Sequence, residues 1–398
     1  MTDAGGPSGG IGRLGLLGFA VASAGGPLCL LALYLGPSAG VARTALLPAT
    51  VLGMLLFLGP LAVWRGFSRV VASPGGQYAF VERVWGRGVA RVQGVLWSIS
   101  YVLYLPYTVT YIVYYLLPTL WHVPTWAGDV LSLALPAAIC LVVAFGARAA
   151  IGALAAIGAL QLAAIAALAA AVFGAGRAVP GGRLAALPSV HALPALGAGG
   201  AAVAFLLICM SLVVFLGGEA ADGGAGVRWA LGAAFAVVAP FTVLSALVLA
   251  AGLPLGRWQS GAAGVVLARL YASPAAADAV GLLVMAGTAA LIVAEFIALT
   301  RLWRVLLPLP EPSILAAVAA FFLAADAASL INPWRFYTLA ITPSLIALYL
   351  SQAIVFAAYP RLGHRGRRAT AASWAAAVVA GGCAIYGLFG ALSGAGIL

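Results

Sequence analysis

Residues 14–35 read LGLLGFAVASAGGPLCLLALYL, an uncharged stretch that is interrupted near its middle by the segment SAGGP at 23–27. The stretch is long enough to cross about 30 Å of hydrocarbon as a helix. Two glycines and a proline lower the helix propensity of its middle and remove one backbone donor. Unwound backbone is tolerated at membrane depth only where it is buried in protein or lines a wet cavity. The stretch therefore predicts a membrane-spanning helix with a break.

Ten further apolar stretches of spanning length follow, and 64% of the 398 residues are hydrophobic while 7% are charged. Runs such as 163–173 lack the alternation of a membrane barrel strand. The composition predicts an all-α integral membrane protein with a single domain over 1–398. The predicted spans, numbered one to eleven, are 14–35, 45–63, 92–117, 130–146, 151–173, 198–217, 229–251, 277–300, 313–331, 336–359 and 371–392.

The twenty basic residues are all arginine and outnumber the nine acidic residues, which gives a net charge of +11. They are dispersed between the apolar runs, so membrane topology explains them better than a nucleic acid-binding face does. With the N-terminus inside, fourteen arginines lie on the cytoplasmic side and six on the opposite side. Because short cytoplasmic loops retain positive charge, the N-terminus is predicted to be cytoplasmic, in a cell membrane, with the C-terminus outside.

Enzyme signatures are absent from the sequence. The three histidines lie in loops or at helix ends, and no HExxH, GxSxG, Walker or Rossmann pattern occurs. The four cysteines lie singly inside apolar runs and are interpreted as core packing. The sequence therefore predicts no enzyme activity, no metal and no cofactor. The cysteines are Cys29, Cys140, Cys209 and Cys383.

A second interruption is predicted at the end of span six, where residues 216–224 read LGGEAADGG. Breaks at corresponding places in two halves of a chain indicate a transporter site formed by inverted repeats. Helix termini at such breaks can hold carboxylate and ammonium groups directly. The alternative interpretation is that the glycines of span one allow close helix packing and that 217–224 is only a loop.

Three segments carry a resemblance to a known family. Residues 73–81, SPGGQYAFV, look like a Pro-x-Gly-Gly-x-Tyr signature after helix two. Residues 215–219, FLGGE, look like an aromatic-x-Gly-x-Glu break in helix six, and Arg301 ends span eight, where arginine is often found. Over about residues 14–360 the sequence resembles the amino acid-polyamine-organocation transporters, which have a leucine-transporter-like fold.

The resemblance implies ten core helices in a 5+5 inverted repeat, with alternating access around a site between helices one, three, six and eight. It places the two repeats at 14–175 and 198–360, with an extra helix at 371–392. The implied substrate is a small molecule, an amino acid or related amine. Tyr78 and Glu219 are implied gating residues. The implied substrate-binding residues are Ser23, Ala24, Gly25, Gly26, Phe215, Leu216, Gly217 and Gly218.

The sequence departs from the family pattern in three respects. Span one has Ala24-Gly25-Gly26-Pro27 where the family usually has Gly-x-Gly. Gln161 stands where many proton-coupled members carry lysine, and glutamine does not titrate, so a lysine-based coupling mechanism is in doubt. An eleventh span without a twelfth is also unusual.

Two carboxylates lie inside predicted spans, Glu295 in span eight and Asp326 in span nine. Each destabilises the protein by several kcal/mol unless it is paired, protonated or facing water. Span eight flanks the cation site of the resembled fold, so Glu295 is predicted to carry a proton in place of sodium or to contact a substrate ammonium. For both residues the alternative is a hydrogen bond or ion pair that pins helices together.

Four tyrosines in span three, Tyr104, Tyr107, Tyr111 and Tyr114, recur at helical spacing and predict one phenolic face. A substrate pathway and an interfacial aromatic belt both explain such a face. Tyr104 and Tyr107 lie nearer the middle of the span and are the better candidates for the site.

Together these features predict a secondary active transporter of amino acids or related amines. The titratable Glu295 favours H⁺ over Na⁺ as the driving ion, and exchange of two substrates without ion coupling fits almost as well. Gln161 and the altered break of span one keep open an alternative, a non-transporting membrane sensor or accessory subunit that retains the fold.

Overall fold

The computed structural model describes residues 10–35, 45–176, 193–253, 262–363 and 367–392. Within these ranges eleven helical segments are long and apolar enough to cross a membrane, and no named strand occurs. Their bounds are Arg13–Ala32, Leu46–Phe67, Gln77–Leu120, Thr125–Ala144, Ala147–Gly174, Leu193–Leu216, Gly223–Gly252, Pro274–Leu306, Glu311–Ser329, Pro333–Leu362 and Arg367–Leu392. Of the arginines and histidines counted above, seven lie outside the described ranges: Arg43, Arg177, Arg183, Arg257, Arg365, His191 and His364.

Successive spans run in opposite directions, and contacts at both ends of the bundle connect them. The side on which span one begins, here called the Arg13 face, also holds the connection from span six to span seven, because Arg13 pairs with Asp222 at 2.7 Å. At the opposite face, near the end of span three, the ring of Tyr115 lies 5.5 Å from that of Trp334 at the start of span ten.

Span one contains the predicted break. A helix over Arg13–Ser23 is followed by an irregular segment, and a second helical segment begins at Pro27. Gly25 and Gly26 have φ values of +82° and +62°, a backbone conformation that residues with a Cβ rarely adopt. Pro27 lies at the first helical position. A backbone N–H there would have no partner within the helix, so the lack of one in proline costs no helical hydrogen bond.

Span six is also broken, but the predicted position was wrong. The α-helix Leu193–Phe205 ends at a turn over Leu206 and Leu207, and a 3-10 helix then runs over Ile208–Leu216. The glycines at 217–224 follow this helix and form the turn into span seven, where Gly223 has a φ of +52°. The interruption within the span lies about ten residues earlier, in a run without glycine or proline.

Two of the longer connections between the predicted spans are helical. The helix of span three begins at Gln77, earlier than the predicted start at 92, and bends at Gly86, which has a φ of +79°. A helix over Ala263–Tyr271 precedes span eight, and the Tyr271 hydroxyl donates to the carbonyl oxygen of Gly252.

The two interrupted spans lie at the centre of the bundle. In the most apolar window of each span, 94% of the residues of span six and 78% of those of span one are buried. The corresponding share is 28% in spans four and nine, whose apolar side chains face outwards. A helix with a large apolar surface on the outside is stable in lipid, whereas irregular backbone must be enclosed by protein. Span eleven, the extra helix, packs against spans two and ten.

Candidate functional site

The interruptions of spans one and six meet near the middle of the molecule. A Cβ atom placed on Gly25 would lie 3.5 Å from the carbonyl oxygen of Leu206. Ser23 and Ala24, directly before the break in span one, are fully buried. Gly25 therefore lies where the two irregular backbone segments approach each other, and the other predicted binding residues of span one adjoin it in the sequence. Backbone groups at such helix ends carry partial charges that can hold charged ligand groups.

Gln161 of span five fills the gap between spans one and eight. Its Oε1 accepts a hydrogen bond of 3.0 Å from the backbone N–H of Leu28. A Cβ on Gly26 would lie 2.6 Å from that oxygen, and a Cβ on Gly287 would collide with Nε2. Glycine at both positions is what makes room for the amide. The side chain thus caps the second half of span one and separates it from span eight.

Gly26→Ala is expected to lower the thermal stability of the protein. The substitution places a Cβ at a φ of +62° and 2.6 Å from the Oε1 atom of Gln161. Such backbone strain costs about 1 to 3 kcal/mol, and displacement of the amide adds to it. The measurement is the melting temperature of the purified protein. Gly152→Ala is the matched control, because that exposed helical glycine has open space around it. Equal melting temperatures of the two variants would contradict this account.

Glu295 lies in a buried polar cluster formed by spans three, six and eight. Its side chain is fully buried, and Oε1 is 3.8 Å from the thiol of Cys209, which donates to it. The same sulfur lies 3.7 Å from the Tyr101 hydroxyl. Oε2 of Glu295 has no hydrogen-bond partner among the described residues. Within that part of the chain no arginine pairs with Glu295, so the interpretation of a helix-pinning ion pair finds no support.

Aromatic side chains form a column from this cluster towards the opposite face. The rings of Tyr104 and Tyr107 lie 4.9 Å apart, and Tyr107 meets Tyr337 of span ten edge to face at 5.7 Å. Tyr111 and Tyr115 also contact the Tyr337 ring. The Tyr107 hydroxyl is buried and has no hydrogen-bond partner among the described residues. A buried, unpartnered hydroxyl of this kind is available to a ligand.

Tyr114 does not belong to this column, which corrects the predicted phenolic face. Its hydroxyl donates to Asp129 of span four at 2.8 Å, and Tyr115 takes the place in the column. The reason is a π-helical turn over Ile112–Leu116. A π turn holds more residues than an α turn, so a tyrosine four positions after Tyr111 returns to the face and one three positions after it does not.

Phe215, Leu216, Gly217 and Gly218 lie at the Arg13 face, below the interruption of span six. Phe215 packs against Trp97 of span three, with ring centroids 4.5 Å apart. Gly217 and Gly218 pack against the segment 72–74, part of the loop that carries the family-like signature. Tyr78, from the same loop, packs on Gly94 of span three. This placement favours a role in closing the Arg13 face and separates these residues from the Gly25–Leu206 contact.

Glu219 and Arg301 form an ion pair that joins three parts of the chain at the Arg13 face. Nε and Nη2 of Arg301 donate to the two carboxylate oxygens at 2.8 and 3.2 Å. The Arg301 side chain is 7% exposed and that of Glu219 33%. The backbone carbonyl of Glu219 also accepts from the N–H of Ile11, just before span one. We call the Glu219–Arg301 pair the clamp, because it ties the starts of spans one and seven to the end of span eight.

Sequence reasoning missed part of this site. Cys209 was interpreted only as core packing, although it also links Tyr101 to Glu295. The sequence gives no signal for Tyr337 or for the turn at Leu206, because an aromatic residue near the end of a span and a leucine within a span are both ordinary. Among the described residues, no group of three or more His, Cys, Asp or Glu side chains is placed to hold a metal ion.

No family model and no curated protein matches this chain. Solved structures do resemble it. MhsT in complex with L-phenylalanine has a TM-score of 0.63 and 16% identity, covering 94% of this chain and 98% of that one. The Eremococcus coleocola manganese transporter, with a bound bis-isothiourea compound, has a TM-score of 0.62 and 13% identity, covering 96% and 87%. A Na⁺-coupled sialic acid symporter has a TM-score of 0.55 and 12% identity, covering 94% and 89%.

These similarities confirm the predicted fold class. The chain has a leucine-transporter-like, all-helical membrane fold, with spans one and six interrupted and one additional helix. The solved structures named are membrane transporters, and none of them is described as an enzyme. At identities of 16% or less the similarity concerns the fold alone. Any inference about a substrate has to come from the residues of this chain.

Proposed function

We propose that this protein is a secondary active transporter of amino acids or related amines, coupled to protons. The observation that carries the proposal is the contact between two interrupted spans at Gly25 and Leu206, with an unpartnered carboxylate oxygen of Glu295 in the neighbouring cluster. Irregular backbone supplies groups for the carboxylate and ammonium of a substrate. The clamp and the loop at 73–78 close the Arg13 face, so access would alternate between the two sides.

Protons are a better coupling ion than sodium for this site. Sodium would need oxygen ligands between spans one and eight, where the Gln161 amide stands. Nε2 of that amide faces the span-eight side of the gap, and an amide nitrogen donates hydrogen bonds and does not bind a cation. Glu295 is a carboxylate at the centre of the membrane domain, and such residues mark ion and proton pathways. A proton or a substrate ammonium would each neutralise it.

The orientation of the chain in the membrane is part of the same proposal. The arginine distribution favours a cytoplasmic Arg13 face, and in that orientation the closed clamp would be the inner gate. Membership of the amino acid-polyamine-organocation superfamily is part of the proposal, and the sequence features that support it are the loop signature at 73–81 and the residues Glu219 and Arg301. The alternative, a sensor or accessory subunit, requires the same fold with ligand binding but no flux.

Uptake into proteoliposomes tests the proposed function. A panel of labelled amino acids and polyamines is offered with and without an inward proton gradient. We expect gradient-dependent accumulation of one substrate class, abolished by a protonophore. Counterflow of that substrate without a gradient is the control for folded, inserted protein. Binding without accumulation or counterflow would support the sensor alternative, and accumulation driven only by Na⁺ would contradict proton coupling.

A further inference from the structure

A second buried carboxylate lies away from the central cluster. Asp326 of span nine is fully buried, and both of its carboxylate oxygens lack a hydrogen-bond partner among the described residues. It belongs to a stripe of buried residues, with Val318 and Phe322, that faces the interior of the bundle. A charged carboxylate that is buried without a partner costs several kcal/mol. The folded protein must therefore neutralise Asp326 in some other way.

Among the described residues Asp326 forms no ion pair, and a neighbouring helix offers a hydroxyl group. Ser132 of span four is fully buried, and its Oγ also lacks a partner among the described residues. Two titratable side chains, Tyr114 of span three and Cys140 of span four, lie within electrostatic range of Asp326.

The charged groups of the other packed helices are engaged elsewhere or lie outside. Spans eight and ten also pack against span nine. Arg301 and Arg304 contact Glu219 and Glu311 at the Arg13 face, Asp278 is half-buried near the start of span eight, and Arg335 is exposed. The remaining charged groups of these spans are Glu295, which accepts from Cys209, and Arg361, which is exposed and lies over the Trp85 ring.

A path of polar groups leads from Asp326 to the opposite face. The Tyr114 hydroxyl donates to Asp129 at 2.8 Å, and Asp129 is exposed at the start of span four. Tyr114 also lies within electrostatic range of Asp326. An exposed carboxylate, a phenol and a buried carboxylate thus follow one another from the surface inwards.

We propose that Asp326 is a second proton-binding site, separate from Glu295 and loaded from the opposite face through Asp129 and Tyr114. Protonation forms an O–H bond at one Asp326 oxygen, and the proton comes from bulk water. A proton needs no coordination shell, whereas hard metal cations such as Ca²⁺ and Mg²⁺ take about six or more oxygen ligands, more than Asp326, Ser132 and Tyr114 supply. Proton binding here does not depend on the proposed transport.

Infrared difference spectroscopy of the full-length protein in lipid tests this site directly. Spectra between low and high pH should contain the carbonyl stretching band of a buried carboxylic acid. Asp326→Asn should remove one such band, whereas Glu295→Gln and the control Asp278→Asn should leave it in place. An unchanged set of bands in Asp326→Asn would overturn the proposal, whatever the outcome of the uptake assays.

If Asp326→Asn does not fold, chemical labelling of the unmodified protein tests the same proposal. An apolar carbodiimide attacks protonated carboxylic acids in apolar surroundings, and mass spectrometry of peptides locates the adduct. We expect a labelled peptide containing Asp326, with less labelling as the pH rises. Tyr114→Phe should slow the pH-dependent change in labelling. A peptide that stays unlabelled, or that is labelled to the same degree at every pH, would contradict an exchangeable proton on Asp326.

Discussion

Replacement of Glu295 by glutamine is expected to abolish proton-driven accumulation of substrate. Glutamine has the shape of glutamic acid and can still accept from the thiol of Cys209, so the fold should be retained. It cannot bind or release a proton. With an inward gradient of about one pH unit, loss of one coupled proton removes a factor of about ten from the accumulation ratio, because one pH unit is worth about 1.4 kcal/mol. The measurement is uptake into proteoliposomes at fixed inner and outer pH.

The controls separate coupling from damage to the site. Asp278→Asn removes a carboxylate from the same span, at a half-buried position near its start, and should leave accumulation unchanged. Counterflow at equal pH should persist in Glu295→Gln if the residue only carries the proton. If counterflow also fails, Glu295 contacts the substrate, and an ammonium-bearing substrate should lose affinity. Accumulation by Glu295→Gln with the pH dependence of the unmodified protein would remove Glu295 from the mechanism.

The fold was largely predictable because the bilayer imposes a simple rule on sequence. Each apolar run of sufficient length became a helix, and the break of span one followed from glycine and proline in its middle. The break of span six did not follow from composition. Leu206 and Leu207 are good helix formers, and the irregular turn there is enclosed by span one, as the Gly25 contact shows. The position of this break depends on packing between segments that are about 180 residues apart in the sequence. Local helix propensity is a weak guide where such packing decides the backbone conformation.

The site was predictable residue by residue but not as a constellation. Glu295 and Gln161 stood out because polar side chains are exceptional inside apolar spans. Their partners were not exceptional: Cys209 is an ordinary core residue, and Tyr337 is one aromatic residue among many near the end of a span. Tyr114 was assigned to the wrong face because the π turn at 112–116 left no pattern in the sequence.

Weakening the clamp is expected to open the Arg13 face and expose the centre of the molecule. Glu219→Gln leaves the charge of Arg301, whose side chain is 7% exposed, with the more distant Glu311 at 3.9 Å as its one acidic partner among the described residues. Breaking a fully buried pair costs about 3 to 5 kcal/mol and an exposed pair contributes about 0 to 1. A value near 1.4 kcal/mol for this partly exposed pair corresponds to about a tenfold larger open population.

The native thiol of Cys209 reports on that opening. It lies beside Glu295 and is 8% exposed, so a small maleimide reaches it only when a gate opens. We expect its labelling, located by mass spectrometry, to be about tenfold faster in Glu219→Gln.

Asp222→Asn is the matched control for the clamp. Asp222 pairs with Arg13 at 2.7 Å on the same face, but the two side chains are 45% and 55% exposed. Water solvates both charges when that pair is lost, so the rate of Cys209 labelling should change by less than about fivefold. The double variant Glu219→Gln/Arg301→Gln leaves no unpaired buried charge. Its increase in the rate of Cys209 labelling should therefore be smaller than the combined increase of the two single variants. Equal labelling rates in Glu219→Gln and Asp222→Asn would mean that packing of Phe215, Trp97 and the loop at 73–78 closes this face without the clamp.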